Sequence, residues 1–324
     1  YRVGQNSEIV RSLLEANEHG KQVAVLVELK ARFDEENNIE WARRLERAGV
    51  HVIYGQADLK THAKVALVVR QEASGLVRYV HLGTGNYNAS TARTYEDFAL
   101  LTCRPDIGED VTNLFNALTG YAPGVIYHKL LVAPETLRLG LLARIEREID
   151  RQRAGGHGRL IFKVNGLVDA ETIRALYRAS QAGVEIDLLV RGMCCLRPGI
   201  AGISEHIRVV SLVGRLLEHS RIYYFGNGGG DDDELLLGSA DLMPRNLDHR
   251  VEVVFPVEDR ALRHHLSHVI LPAYLRDIAN AWRLLPDGSY EHLRPPKGEA
   301  PFDVQQWLAH MATPTQRPGA VLRA

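Results

Sequence analysis

Two short stretches place a histidine two residues ahead of a cation: His62-Ala63-Lys64 and His219-Ser220-Arg221. Each leads into an apolar run, Val65-Ala66-Leu67-Val68-Val69 in the first case and Ile222-Tyr223-Tyr224-Phe225 in the second. Residues two apart on a strand share a face. Each pair is therefore expected to project together, an imidazole beside a fixed positive charge. A neutral imidazole nitrogen can attack phosphorus and form a covalent phosphoramidate. Preplaced cations and backbone N–H groups stabilise the charge that builds on a transferring phosphoryl group. The two pairs thus point to phosphate chemistry shared between two matched halves.

The elements that must hold these residues repeat as well. Residues 7–18, 35–48 and 170–182 carry apolar positions at helical spacing and close on Gly20, Gly49 and Gly183. Val23-Ala24-Val25-Leu26-Val27 is a continuous β-branched and apolar run, as in a strand covered on both faces, and Val50–Tyr54, Val184–Arg191 and Ile207–Ser211 are expected strands as well. Tyr1-Arg2-Val3 matches Phe162-Lys163-Val164, and Arg32 matches Arg191. Gly83-Thr84-Gly85-Asn86 matches Gly238-Ser239-Ala240-Asp241. From Arg32 to His62 is 30 residues and from Arg191 to His219 is 28. A repeat kept only for folding need not reproduce cations, a histidine and a Gly-rich polar turn in one order. The alternation of strands and helices predicts an α/β fold, two tandem domains each with a mixed, mostly parallel sheet flanked by helices. Active groups in such folds gather at strand carboxyl ends. A hairpin is expected at Ala73-Ser74-Gly75, a helix over 259–283, and a Pro-punctuated surface tail from 294 with one short helix near 303–311.

A chain of 324 residues suffices for two domains. Its net charge of −1 gives no overall field for a polyanion, so any anion site must be local. Of 39 basic residues only seven are lysine, and the planar arginine fork suits phosphate oxygens. The three cysteines form no CxxC, which fits a reducing cytoplasm and excludes a disulfide scaffold or a zinc site of that type. Apolar runs reach strand length only, and no signal peptide is present. The chain opens at Tyr1, and Tyr1-Arg2-Val3 resembles the tail of a strand, so an upstream part is expected. There is no GxxxxGK[ST] loop, and Asn88 stands where a dinucleotide fingerprint needs its third glycine. Asp231-Asp232-Asp233-Glu234, after three glycines, reads as a solvated loop tip.

The paired H-x-K/R stretches with downstream G-[ST]-x-[ND] turns resemble the phospholipase D superfamily. That family continues its motif to an aspartate, and here Val69 and Gly226 stand in its place. A longer resemblance covers nearly the whole chain. Val27–Glu35, Lys60–Lys64, His81-Leu82-Gly83-Thr84-Gly85-Asn86-Tyr87-Asn88, Leu189–Cys194, Leu217–Arg221 and Gly238–Asn246 are similar to the C-terminal half of the type 1 bacterial polyphosphate kinase family. The resemblance implies two phospholipase D-like domains, 1–128 carrying His62 and 129–293 carrying His219, followed by a tail over 294–324. It implies reversible transfer of the ATP γ-phosphate to inorganic polyphosphate, with Mg2+ as cofactor. His62 matches the histidine that is phosphorylated, and His219 the second essential histidine, at the nucleotide site. Tyr95 and Arg191 match nucleotide contacts. Arg2 and Arg32 match the magnesium-phosphate site, where arginines would hold phosphate oxygens. Lys64 and Arg221 are inferred, from the repeat, to neutralise phosphate charge. Expected partners are ATP or ADP and polyphosphate, with no nucleic acid, and a homo-oligomer formed through an N-terminal half outside this chain. The location expected is cytoplasmic, including the periphery of the inner membrane. A phospholipase D-like phosphodiesterase or nuclease and a non-catalytic polyanion-binding module are the competing readings.

Overall fold

A computed structural model describes residues 1–4, 7–31, 33–55, 58–120 and 124–312. The chain begins with α1 (Glu8–Glu18), β1 (Ala24–Val27), α2 (Glu35–Arg47) and β2 (His51–Tyr54). Ser7 caps α1, its Oγ accepting from Val10 N at 3.3 Å. β1 and β2 pair in parallel, and Val10, Trp41, Leu45 and Val50 pack together against them. Tyr1-Arg2-Val3, expected to end a strand, is not in one.

Next come β3 (Lys60–Thr61), β4 (Val65–Glu72), β5 (Gly75–Gly83), β6 (Tyr95–Glu96), β7 (Ala99–Thr102) and α3 (Pro105–Gly120). β4, β5 and β7 form an antiparallel sheet, with the predicted hairpin between the first two. Ile107, Val111 and Leu114 of α3 share a core with Val80 and Leu82 of β5.

The remainder comprises β8 (Leu131–Ala133), α4 (Leu137–Arg153), β9 (Arg159–Val164), α5 (Ala170–Gln181), β10 (Glu185–Val190), β11 (Ile207–Leu212), β12 (Leu217–Glu218), β13 (Ile222–Phe225), β14 (Glu234–Gly238), α6 (Pro244–Asp248), β15 (Arg250–Pro256), α7 (Arg260–His265), α8 (Leu271–Arg276), β16 (Ala281–Leu284), β17 (Tyr290–His292) and α9 (Val304–Ala312). Its sheet runs β17-β16-β11-β10-β9-β13-β14-β15-β3, with β8 also on β15. The parallel trio β9, β10 and β11 lies at the centre and is buried on both faces. Leu160 and Phe162 face one core with Leu141 and Ile145 of α4 and Leu176 of α5. Ile161 and Leu189 face a second with Leu271 and Tyr274 of α8. This is the mixed α/β architecture, sheets flanked by helices, that the sequence predicts, but its sheets are not mostly parallel. Among the described residues eight strand pairs are antiparallel and five parallel, because short hairpin-like returns flank the parallel centre. No helix among the described residues is long and apolar enough to cross a membrane.

The helix expected over 259–283 is shorter. It passes through a π turn at Leu266–Ile270 and stops at Arg276. Asp277 Oδ1 then accepts from Asn280 N at 2.8 Å, and Ala281–Leu284 pairs antiparallel with β11. A free sheet edge outcompeted local helix propensity there. The short helix in the tail is α9, and it is anchored: Val304 and Gln305 are buried.

Candidate active site

Both histidines sit in the same backbone device. β3 runs parallel to β15, with Thr61 opposite Val251. The chain then bulges, and the N–H groups of His62 and Ala63 both donate to Val251 O, at 2.9 and 3.0 Å. β6 runs parallel to β12, with Glu96 opposite Glu218. There the N–H groups of His219 and Ser220 both donate to Glu96 O, at 3.2 and 3.0 Å. Two residues against one carbonyl make a bulge, which re-aims side chains. The expectation that His62 and Lys64 lie along one strand is therefore corrected: the strand breaks over 62–64 and resumes at Val65. Lys64 reaches His62 by folding back, its Nζ donating to His62 O at 2.5 Å. Arg221 does the same, Nη1 donating to His219 O at 2.7 Å.

The two halves exchange their supporting carboxylates. The residue after each shared carbonyl faces the histidine of the other half. His62 Nδ1 lies 2.9 Å from Glu252 Oε2, and His219 Nδ1 lies 2.8 Å from Asp97 Oδ1. Ser239 Oγ donates to Glu252 Oε2 at 2.5 Å, and Asn246 Nδ2 to Oε1 at 2.7 Å. Ser239 Oγ itself accepts from Val253 N, so its proton is directed at Glu252. With the carboxylate accepting, His62 carries its proton on Nδ1, and Nε2 keeps its lone pair. Asp97 is fixed in turn by Thr84 Oγ1 at 2.6 Å.

Burial sets the charge states. Burial, then Lys64 and Arg221, push His62 well below the usual imidazole range, so it stays neutral. His219 is lowered to about 4 by burial and Arg221, against the pull of Asp97. Burial lowers Lys64 to about 7 and raises Glu252 to about 7. Arg221 is held differently from Lys64. It meets Asp241 through Nε and Nη2, both at 3.1 Å. The first half has Asn86 at the matching place, and Lys64 makes no ion pair among the described residues. The His62 side thus keeps a cation without a direct carboxylate partner among the described residues, while the arginine of the His219 side is paired with Asp241.

The other sequence-predicted residues divide. Tyr95 lies against the His219 ring, with centroids 5.0 Å apart. Arg191 follows β10, and its Nη1 donates to Glu218 O at 2.6 Å, beside His219. Arg2 pairs with Asp34, and the rings of Tyr1 and His62 meet edge-on at 4.7 Å. Arg32 lies outside the described residues. Lys163, the counterpart of Arg2 in the repeat, is buried among carboxylates instead of facing the site. No group of three or more His, Cys, Asp or Glu side chains among the described residues could hold a metal ion. Glu252, Asp97 and Asp241 already accept from histidine, hydroxyl, amide or guanidinium donors. The described residues therefore do not fit a resident magnesium ion.

Glu252 and Asp97 were not legible as site residues from their own surroundings in the chain. One signal could have found them. Each lies 14 residues beyond the first glycine of its turn, Gly83 in one half and Gly238 in the other.

Comparison with known proteins gives the family. The model for polyphosphate kinase C-terminal domain 1 covers residues 1–123, and that for C-terminal domain 2 covers 130–305. A polyphosphate kinase of Synechocystis sp. is 60% identical over 299 residues, which are 92% of this chain and 41% of that protein. One of Thermosynechococcus vestitus is 58% identical over 300 residues, 93% of this chain and 41% of that protein. The chain thus spans about two fifths of these relatives. The crystal structure of polyphosphate kinase from Porphyromonas gingivalis superposes with a TM-score of 0.87 at 41% identity, covering 96% of this chain and 47% of that one. Phosphatidylserine synthase of Haemophilus influenzae shares the fold alone, with a TM-score of 0.52 at 9% identity over 94% of this chain and 91% of that one. With both domain models together spanning most of its length, the chain belongs to the polyphosphate kinase family, as its C-terminal domains 1 and 2.

Proposed function

We propose that this chain is the catalytic half of a polyphosphate kinase that moves the γ-phosphate of ATP reversibly to inorganic polyphosphate through a phosphohistidine on His62. The observation that carries this reading is the buried, neutral His62, proton fixed on Nδ1 by Glu252, beside a Lys64 that bonds His62 O and makes no ion pair among the described residues. His62 Nε2 attacks the γ-phosphorus, the N–P bond forms and the β,γ P–O bond breaks, releasing ADP. A terminal oxygen of polyphosphate then attacks that phosphorus, and the N–P bond breaks. Lys64 and Arg221 hold the oxygens of the transferring group. Tyr95, Arg191 and His219 hold the nucleotide, and Arg2 and Arg32 contact phosphate oxygens. Magnesium enters as MgATP, since the ion keeps several waters and usually relies on substrate phosphates for ligands. The chain divides into units 1–128 and 129–293 with a tail over 294–324. The full-length protein is a cytoplasmic homo-oligomer that assembles through regions outside this chain.

The test is phosphorylation of the full-length protein with γ-labelled ATP and magnesium. Acid-labile, base-stable label should map to His62 and vanish in His62→Ala. Undiminished labelling of His62→Ala would overturn the assignment.

A further inference from the structure

A buried ionic cluster behind His219 takes no part in the phosphoryl-transfer scheme. Lys163 Nζ lies 2.8 Å from Glu96 Oε2, 2.8 Å from Glu218 Oε2 and 2.7 Å from Ser220 Oγ. Its ammonium also faces the Tyr274 ring at 4.8 Å. All five side chains are buried. Their places in the chain give the cluster its meaning. Glu96 immediately precedes Asp97, and Glu218 and Ser220 flank His219.

The cluster reaches an element remote in the chain. Gln305, on α9, donates from Nε2 to Glu218 Oε1 at 2.7 Å and to Leu216 O at 2.8 Å. Its Oε1 accepts from Leu216 N at 2.8 Å. The amide thus pairs with the backbone of Leu216 as a neighbouring strand would. Gly214 makes room for it: a Cβ there would lie 2.5 Å from Gln305 Oε1. The start of α9 is pinned by Asp277 Oδ2, which accepts from Val304 N at 2.8 Å. A buried amide is costly unless its donors and acceptors are met. A helix serving only to cover the core would present an apolar side chain at this position.

Glu218 joins these contacts to the site. Lys163 and Gln305 hold its side chain, its carbonyl accepts from Arg191, and the next residue is His219. We propose that Gln305 of α9, acting through Glu218 together with Lys163, is a positioning residue that sets Arg191 and His219 for nucleotide binding. The inference rests on the polyphosphate kinase reading above, in which those two residues hold ATP.

ATP binding to the full-length protein, measured by calorimetry beside the KM for polyphosphate, tests it. Gln305→Ala should weaken ATP roughly tenfold, the size of a lost hydrogen bond to a charged group, and leave the polyphosphate KM unchanged. Gln306→Ala, its exposed neighbour on α9, should bind ATP as wild type does. Gln305→Glu sets two carboxylates together, and their pKa values rise. Its ATP affinity should be poor at about pH 8 and recover toward wild type at about pH 6, because a protonated carboxyl donates to Glu218 as the amide does. Circular dichroism and thermal melting at both pH values establish that Gln305→Glu is folded when its affinity is read, which separates positioning from a role in folding alone, and this variant carries the test should Gln305→Ala not fold. Unchanged ATP affinity in folded Gln305→Ala, or a Gln305→Glu defect independent of pH, overturns the inference alone. A wild-type protein that binds no ATP overturns the functional reading and the inference with it.

Discussion

Replacing Gly85 with alanine should disable His219 without unfolding the protein. A Cβ on Gly85 would lie 2.4 Å from Asp97 Oδ2 and 2.8 Å from Asp97 Cβ. Ordinary contact begins near 3.4 Å, so the carboxylate must retreat by about 1 Å. Asp97 accepts from His219 Nδ1 at 2.8 Å, and a retreat of that size carries the pair to about 3.8 Å, beyond hydrogen-bonding range. Gly85 is not among the glycines of positive φ, so alanine brings no φ strain, and the clash falls on Asp97. A hydrogen bond to a charged group contributes about 1.5–3 kcal/mol, or roughly 10- to 150-fold in rate. The assay is ATP-dependent chain growth by the full-length protein, with circular dichroism and thermal melting as controls. Gly85→Ala and Asp97→Asn act on one bond, so their double variant should be scarcely worse than the worse single. Wild-type turnover in Gly85→Ala, or losses that multiply in the double variant, would refute the reasoning.

Glu252→Gln should cut phosphorylation of His62 by roughly 100- to 10,000-fold, because the amide no longer fixes the imidazole tautomer; rapid-quench labelling measures it. The pH profile of kcat/KM should be bell-shaped with its maximum near neutrality. It rises as Glu252 ionises around 7 and falls as Lys64 loses its proton around 7. Lys64→Arg should abolish the alkaline limb, since arginine stays charged. Lys64→Met should be more stable than wild type by roughly 3 to 5 kcal/mol below pH 7. The folded protein releases the Lys64 proton near 7, while the unfolded chain holds it to 10.5. Wild-type stability is therefore regained as pH rises through that window, and the advantage should vanish in denaturant titrations near its upper end. Gly238→Ala should cost about 3 kcal/mol and lower the melting temperature, because its Cβ would lie 2.7 Å from Val253 O, a backbone atom that cannot turn aside.

The repeat, the strand and helix order, the two histidines and the cations that follow them were legible in the sequence. Side-chain type is fixed by the chain, and the periods of helix and strand are local properties. Local rules also misplaced two elements. Ala281–Leu284 became a strand because β11 offered an edge. His62 left its strand because Val251 O takes two N–H groups at once.

The sequence by itself determined which groups could bear phosphate chemistry, and that they come twice in the same order. Tertiary structure decided how those groups are charged and which carboxylate serves which histidine. Glu252 is 190 residues from His62, and Asp97 is 122 from His219. No pattern confined to neighbours in the chain reports such a crossing. Burial separates otherwise similar residues further. Lys64 and Lys163 are both buried cations, yet one makes no ion pair among the described residues and has its pKa lowered, while the other sits between two carboxylates with its pKa raised. Desolvation and charge depend on what surrounds a group in space, and only the folded chain supplies those surroundings.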